Sequence, residues 1–235
     1  MSAGVAVVIP VLGDARELDA LLARLAPQRP EQTIVVSGRA DPAVAAVCER
    51  HACERVDAAA NRGAQLHAGA LRARAGVLWF VHADAEIAPD ALDAIAAAVR
   101  GGAESGCFRF AFQGTATWYK RLLAALVALR IRCGGMAYGD QGIFACRDVY
   151  FELGGFAEQP LFEEVRLVRR LRARGTFRVL RAPIGVATRR WDRDGWLTRT
   201  AHNRWLALRF ALGGRPDALA ASYRPLLPTR EEHER

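Results

Sequence analysis

A strand–helix alternation through the first hundred residues constrains this chain more than any other feature. Residues 5–11 form a continuous apolar run, as expected of a parallel strand buried on both faces. Asp14 and Glu17 follow as a capping-box-like pair, and Leu18, Leu21, Leu22 and Leu25 recur at helical spacing. Residues 33–36 read as a second strand. Asp41-Pro42 places an N-cap before a first-turn proline and predicts a helix to about His51. A third strand is expected at 53–56, a helix at 61–74 stopped by Gly76, and a buried strand at 77–81. Pro89 opens a further helix carrying Leu92, Ile95 and Val99. This order calls for a mostly parallel sheet flanked by helices, an α/β Rossmann-like fold in which ligands bind beyond the carboxyl ends of the strands.

The second half is less regular. Phe108, Phe110 and Phe112 alternate with Cys107, Arg109 and Ala111, which predicts a half-exposed strand. Helices are expected over 118–132, 163–174 and about 195–212, and a strand over 177–180. With no repeat and no low-complexity linker, the expectation is a main domain over 1–190 and a helical C-terminal appendage, 191–235, packed on it.

Much of the net charge of +8 falls after Arg166; such a basic half can serve nucleic acid, an anionic membrane or phosphorylated substrates, and it is compatible with a phosphate-bearing ligand. It does not call for nucleic acid. Five cysteines without a C-x-x-C pair fit reduced thiols in a cytoplasmic protein. No 18-residue stretch is free of charge, and the N-terminus lacks a basic n-region, so neither a membrane span nor a signal peptide is expected.

Several segments can carry chemistry. Asp84 and Glu86 lie just beyond a buried strand; an extended i, i+2 pair would point both carboxylates to one side, suiting Mg²⁺ or Mn²⁺, or the pair caps the helix opened at Pro89. Glu163-Glu164 can supply a general base and its orienting partner, or favour a helix N-terminus. Arg189-Arg190-Trp191 can grip a diphosphate and cover a sugar, or form a solvated basic loop. Asp140 lies in Gly139-Asp140-Gln141-Gly142, where a ligand can approach the backbone, or where an Asx-turn suffices. Arg62 and Gln65 follow Asn61 at a helix N-terminus able to hold an anion, or simply capped by Asn61.

The order of these segments is more specific than any of them. Val7-Val8-Ile9-Pro10, residues 77–85, Gly139-Asp140-Gln141, Gly154-Gly155-Phe156, Glu163-Glu164 and Arg189-Arg190-Trp191 together resemble family 2 glycosyltransferases of the GT-A fold. The likeness is closest to a small bacterial branch labelled arsenosugar-biosynthesis or radical-enzyme-associated glycosyltransferases. The resemblance implies a nucleotide-diphosphate sugar donor (a UDP-sugar), a divalent metal, and single-displacement transfer with inversion to an unidentified acceptor. It assigns Pro10 and Asp14 to the donor loop, Asp84 and Glu86 to the metal-binding acids, Glu164 to the base, and Arg190-Trp191 to the pyrophosphate side. Four positions depart from the family. Gly13-Asp14 replaces Asn-Glu, Ser37 stands where an aspartate contacts the nucleotide base, and Glu164 replaces aspartate.

Two other readings share the fold pattern. A nucleotidyltransferase would need a Gly-rich basic loop after the first strand, which Val11-Leu12-Gly13-Asp14 lacks. A nucleotide-sugar-binding protein with impaired catalysis is compatible with Ser37 and Glu164. Trp196, Leu197, Trp205, Leu206, Leu208 and Phe210, interleaved with arginines, form either a helix packed on the body or on a second subunit, or a peripheral contact with the inner face of the membrane.

Overall fold

A computed structural model describes residues 4–222. Strands β1 (Val5–Val11), β2 (Gln32–Ser37), β3 (Glu54–Asp57) and β4 (Val77–Phe80) alternate with helices α1 (Ala15–Leu25), α2 (Pro42–Arg50) and α3 (Arg62–Arg72). A short β5 (Glu86–Ile87) and α4 (Ala91–Arg100) lead to β6 (Ser105–Phe112), α5 (Trp118–Arg132), β7 (Phe144–Cys146) and α6 (Arg147–Glu152). The rest comprises α7 (Val165–Ala173), β8 (Phe177–Val186), α8 (Arg189–Asp194), α9 (Trp196–Ala211) and α10 (Pro216–Ser222).

All eight strands join one sheet, ordered β3-β2-β1-β4-β7-β6-β8-β5. β3, β2, β1 and β4 are mutually parallel, as the alternation requires. The chain moves outward from β1 to β2 and β3, then returns through α3 to β4 on the other side of β1. That reversal opens a crevice at the carboxyl ends of β1 and β4. β7 then runs antiparallel between β4 and β6, and β6 pairs in parallel with β8.

Alternation along β1 divides the core. Val5, Val7, Ile9 and Val11 face α1, α2 and α4, whereas Ala6 and Val8 face α3, α6 and α7. α3 lies close to the sheet because residue 69 is glycine. A Cβ there would stand 2.4 Å from Val8 Cγ1 and 2.9 Å from Val36 Cγ2.

Several local expectations need correction. Asp14 stands at the N-cap of α1, but its side chain makes no capping bond, and Glu17 reaches across to Arg189 instead at 2.6 Å. α3 ends at Arg72, before Gly76, because the backbone N–H groups of Arg74 and Ala75 turn to donate to the Gln32 side chain. α4 begins at Ala91 and α7 at Val165, each two residues later than expected, and β8 extends to Val186. The Asp41 and Asn61 caps are present, accepting from Ala43 and Val44 and from Ala64. The C-terminal segment is helical, and Trp191 and Trp196 pack edge-on against Phe112. Residues 223–235 of the expected appendage lie outside the described residues.

Candidate functional site

Pro10, Arg62, Leu66, Phe80, His82 and Gly139 line the crevice between β1 and β4. Arg62, at the first turn of α3, is its hub. Its Nε meets Glu163 Oε1 at 2.8 Å, and a terminal nitrogen lies against His82 Nε2. Desolvation, with the charges of Arg62 and Arg190, pushes His82 well below its ordinary value, so the ring is neutral at pH 7.

Glu163 and Glu164 are both buried, at 2% and 5% exposure. Oε1 of Glu164 accepts from the Gly139 N–H at 3.1 Å; Oε2 is buried with no hydrogen-bond partner. Desolvation first, and Glu163 second, push the Glu164 carboxyl up to about 8, with Arg62 opposing. Immediately before this pair stands Phe162, whose φ of 62° is a left-handed conformation rarely held by an aromatic residue. Its ring is fixed against Phe210, centroids 4.7 Å apart. Asp140 lies in the same neighbourhood. Burial raises its carboxyl above the usual range, and Arg130 and Arg62 oppose the rise.

The carboxylates of Asp84 and Glu86 do not form the extended pair expected. A turn closed by the Ala85 N–H donating to His82 O places Asp84 off the strand, while Glu86 enters β5 opposite Gly185. Asp84 faces Arg189, whose Nη2 is 3.4 Å from Oδ2, and Gln113 holds the Asp84 carbonyl at 2.7 Å. Neither acid caps α4, whose N-cap is Asp90. Among the described residues no cluster of three or more His, Cys, Asp or Glu side chains could hold a metal. A half-exposed carboxylate that already attracts a cation does fit Mg²⁺ or Mn²⁺ shared with a diphosphate, because such ions need only one or two protein carboxylates.

The other expected residues divide. Pro10 and Arg62 are in the crevice. Gln65 is buried and donates to the carbonyls of Val11 and Val36, at 2.8 and 2.9 Å, tying the ends of β1 and β2 together. The Ser37 hydroxyl donates to Arg39 O at 2.6 Å. Asp14 accepts weakly from Leu12 N–H at 3.5 Å. Arg190 lies close enough to act on His82, but Trp191 turns away into the Phe112–Trp196 cluster and donates to Thr200. Sequence reasoning missed His82 as a partner of Arg62, and missed Phe162. His82 was visible as a polar residue at a strand end, whereas nothing about a phenylalanine signals left-handed backbone.

A mixed sheet with a crevice at the β1/β4 reversal, and acids gathered at its carboxyl edge, defines the GT-A fold. Solved structures agree. Glucosyl-3-phosphoglycerate synthase from Mycobacterium tuberculosis, in complex with Mn²⁺, UDP and glucosyl-3-phosphoglycerate, aligns with TM-score 0.60 and 15% identity over 77% of this chain and 70% of its own. S. aureus TarS, residues 1–349, aligns with TM-score 0.61 and 13% identity over 80% of this chain and 61% of its own. Mannosyl-3-phosphoglycerate synthase from Rubrobacter xylanophilus aligns with TM-score 0.55 and 14% identity, covering 77% and 66%. No family model matches the chain, and no curated protein matches it in sequence.

Proposed function

We propose that this chain is a nucleotide-diphosphate-sugar glycosyltransferase with Glu164 as the base. The observation that carries this reading is Glu164 itself. One oxygen is anchored on the Gly139 N–H, the other is buried without a protein partner, and the carboxyl is raised to about 8, where a base abstracts a hydroxyl proton effectively. Glu164 takes the acceptor hydroxyl's proton as that oxygen attacks the anomeric carbon. The bond to the nucleoside diphosphate breaks on the opposite face, so the configuration inverts. Glu163, held by Arg62, orients the base, and Asp140 meets the acceptor. Arg189 and Arg190 face the departing diphosphate. A divalent metal held by Asp84 would neutralise charge on that leaving group when bound.

Support for a UDP-sugar donor comes from structural neighbours described with UDP or UDP-GlcNAc. The free thiols of all five cysteines support a reducing, cytoplasmic setting. No described helix is long and apolar enough to cross a membrane. The likeness to the arsenosugar-biosynthesis branch remains part of this proposal. The test is release of nucleoside diphosphate from a panel of nucleotide-sugars with Mn²⁺, water taking the place of the acceptor. Wild type is expected to turn over one donor, and Glu164→Gln to bind it without turnover. Full turnover by Glu164→Gln would refute the choice of base.

A further inference from the structure

α5 and α9 lie side by side. Tyr119 meets Trp196 with centroids 4.7 Å apart near their starts, and Arg204 of α9 acts on Arg130 of α5 further along. Both helices present some of their apolar residues outward, although Leu206 of α9 is buried. On α5, Trp118 is 76% exposed, and Leu122, Leu126 and Leu129 continue its stripe at spacings of four, four and three residues. Only Ile131 of that helix is buried. On α9, Leu197 is 88% exposed, and Trp205 and Leu208 share its face.

The charge on these faces is of one sign. Neither helix contains an aspartate or glutamate, and Arg121, Arg132, Arg204 and Arg209 are exposed beside the apolar stripes. The acids next to α9 are Asp192 and Asp194 before it and the exposed Asp217 on α10. Asp192 is engaged by Thr188 and Trp196, and Asp194 by Arg193 and Arg199.

We propose that the α5–α9 face docks on an anionic lipid surface. Tryptophan and leucine enter the headgroup boundary while the arginines pair with lipid phosphates, a combination suited to helices lying in the plane of an interface. A second copy of the chain fits less well, because each copy would bring the same four arginines to the contact. Docking would set Phe162, which Phe210 of α9 touches, near the bilayer, and with it the Glu163–Glu164 pair.

The experiment is flotation of the full-length protein with phosphatidylcholine vesicles, with and without phosphatidylglycerol, at low and high salt. Binding is expected only with phosphatidylglycerol and is weakened by salt. Arg121→Ala/Arg132→Ala and Trp118→Ser/Leu122→Ser/Leu208→Ser, all at exposed positions, are each expected to weaken it about tenfold or more. Absence of binding, equal binding to neutral vesicles, or full binding by both variants would overturn the proposal. So would light scattering showing a dimer that the apolar variant dissociates, since the face would then be a contact between copies.

Discussion

Replacing Glu164 by glutamine is expected to stop transfer and to stabilise the fold, by an amount that grows with pH. The folded protein holds this carboxyl near 8, whereas in the unfolded chain it titrates near 4.5. Below pH 4.5 both states keep the proton. Between the two values the unfolded chain releases its proton and the folded protein does not, so wild-type stability falls as pH rises and the loss is complete above 8. Each tenfold change in proton affinity is worth about 1.4 kcal/mol. The loss is therefore on the order of 3 kcal/mol at pH 7 and 5 kcal/mol above pH 8. Glutamine has no proton to lose there. Urea unfolding of wild type and Glu164→Gln at pH 5, 7 and 9 is the assay, with the gap between the two midpoints widening in favour of the variant. A gap that stays constant with pH would show that Glu164 titrates normally in the fold and would remove the physical basis for its role.

Arg62→Lys keeps the charge but loses the fork that holds Glu163 and His82, so kcat should fall more than KM rises. Arg62→Ala removes the charge that holds Glu164 down, so the rise of kcat/KM with pH should move to higher pH; an unmoved profile would contradict that coupling. Gly69→Ala puts a methyl against Val8 and Val36 and should destabilise the chain by about 1–3 kcal/mol in thermal unfolding, with α3 pushed off the sheet.

The parallel half of the sheet was legible because its signals are local. The apolar run of β1, the leucine spacing of α1 and the Asp41 and Asn61 caps each lie within a few residues of the structure they specify. What escaped depends on partners distant in sequence. β7 enters between β4 and β6 through pairings such as Leu78 with Ala145, and β8 runs long because it pairs with β6 along nearly its whole length. The same holds in the site. Of the acids and arginines whose order drew attention, Arg62 lines the crevice, Glu163 pairs with Arg62, and Glu164 accepts from Gly139 beside it. Gln65 proved to be a strut, because the carbonyls it binds come from β1 and β2. Asp84 and Glu86 separated because a turn follows β4 where an extended continuation was expected, and Trp191 found Phe112 and Trp196 before it could reach the crevice. Phe162 holds left-handed backbone while its ring packs on Phe210, 48 residues away, a contact no local signal announces.

Thermal unfolding with UDP, GDP and UDP-sugars, with and without Mn²⁺, tests the donor site most directly. A nucleotide present at about a hundred times its Kd adds about 2.7 kcal/mol, a rise in Tm of roughly 5–10 °C for a chain of this length. The expected result is a rise with one nucleotide that grows with Mn²⁺, and an Mn²⁺-linked part that disappears in Asp84→Ala. An unchanged Tm with every nucleotide, with and without the metal, would contradict the assignment of this crevice as a nucleotide-sugar site.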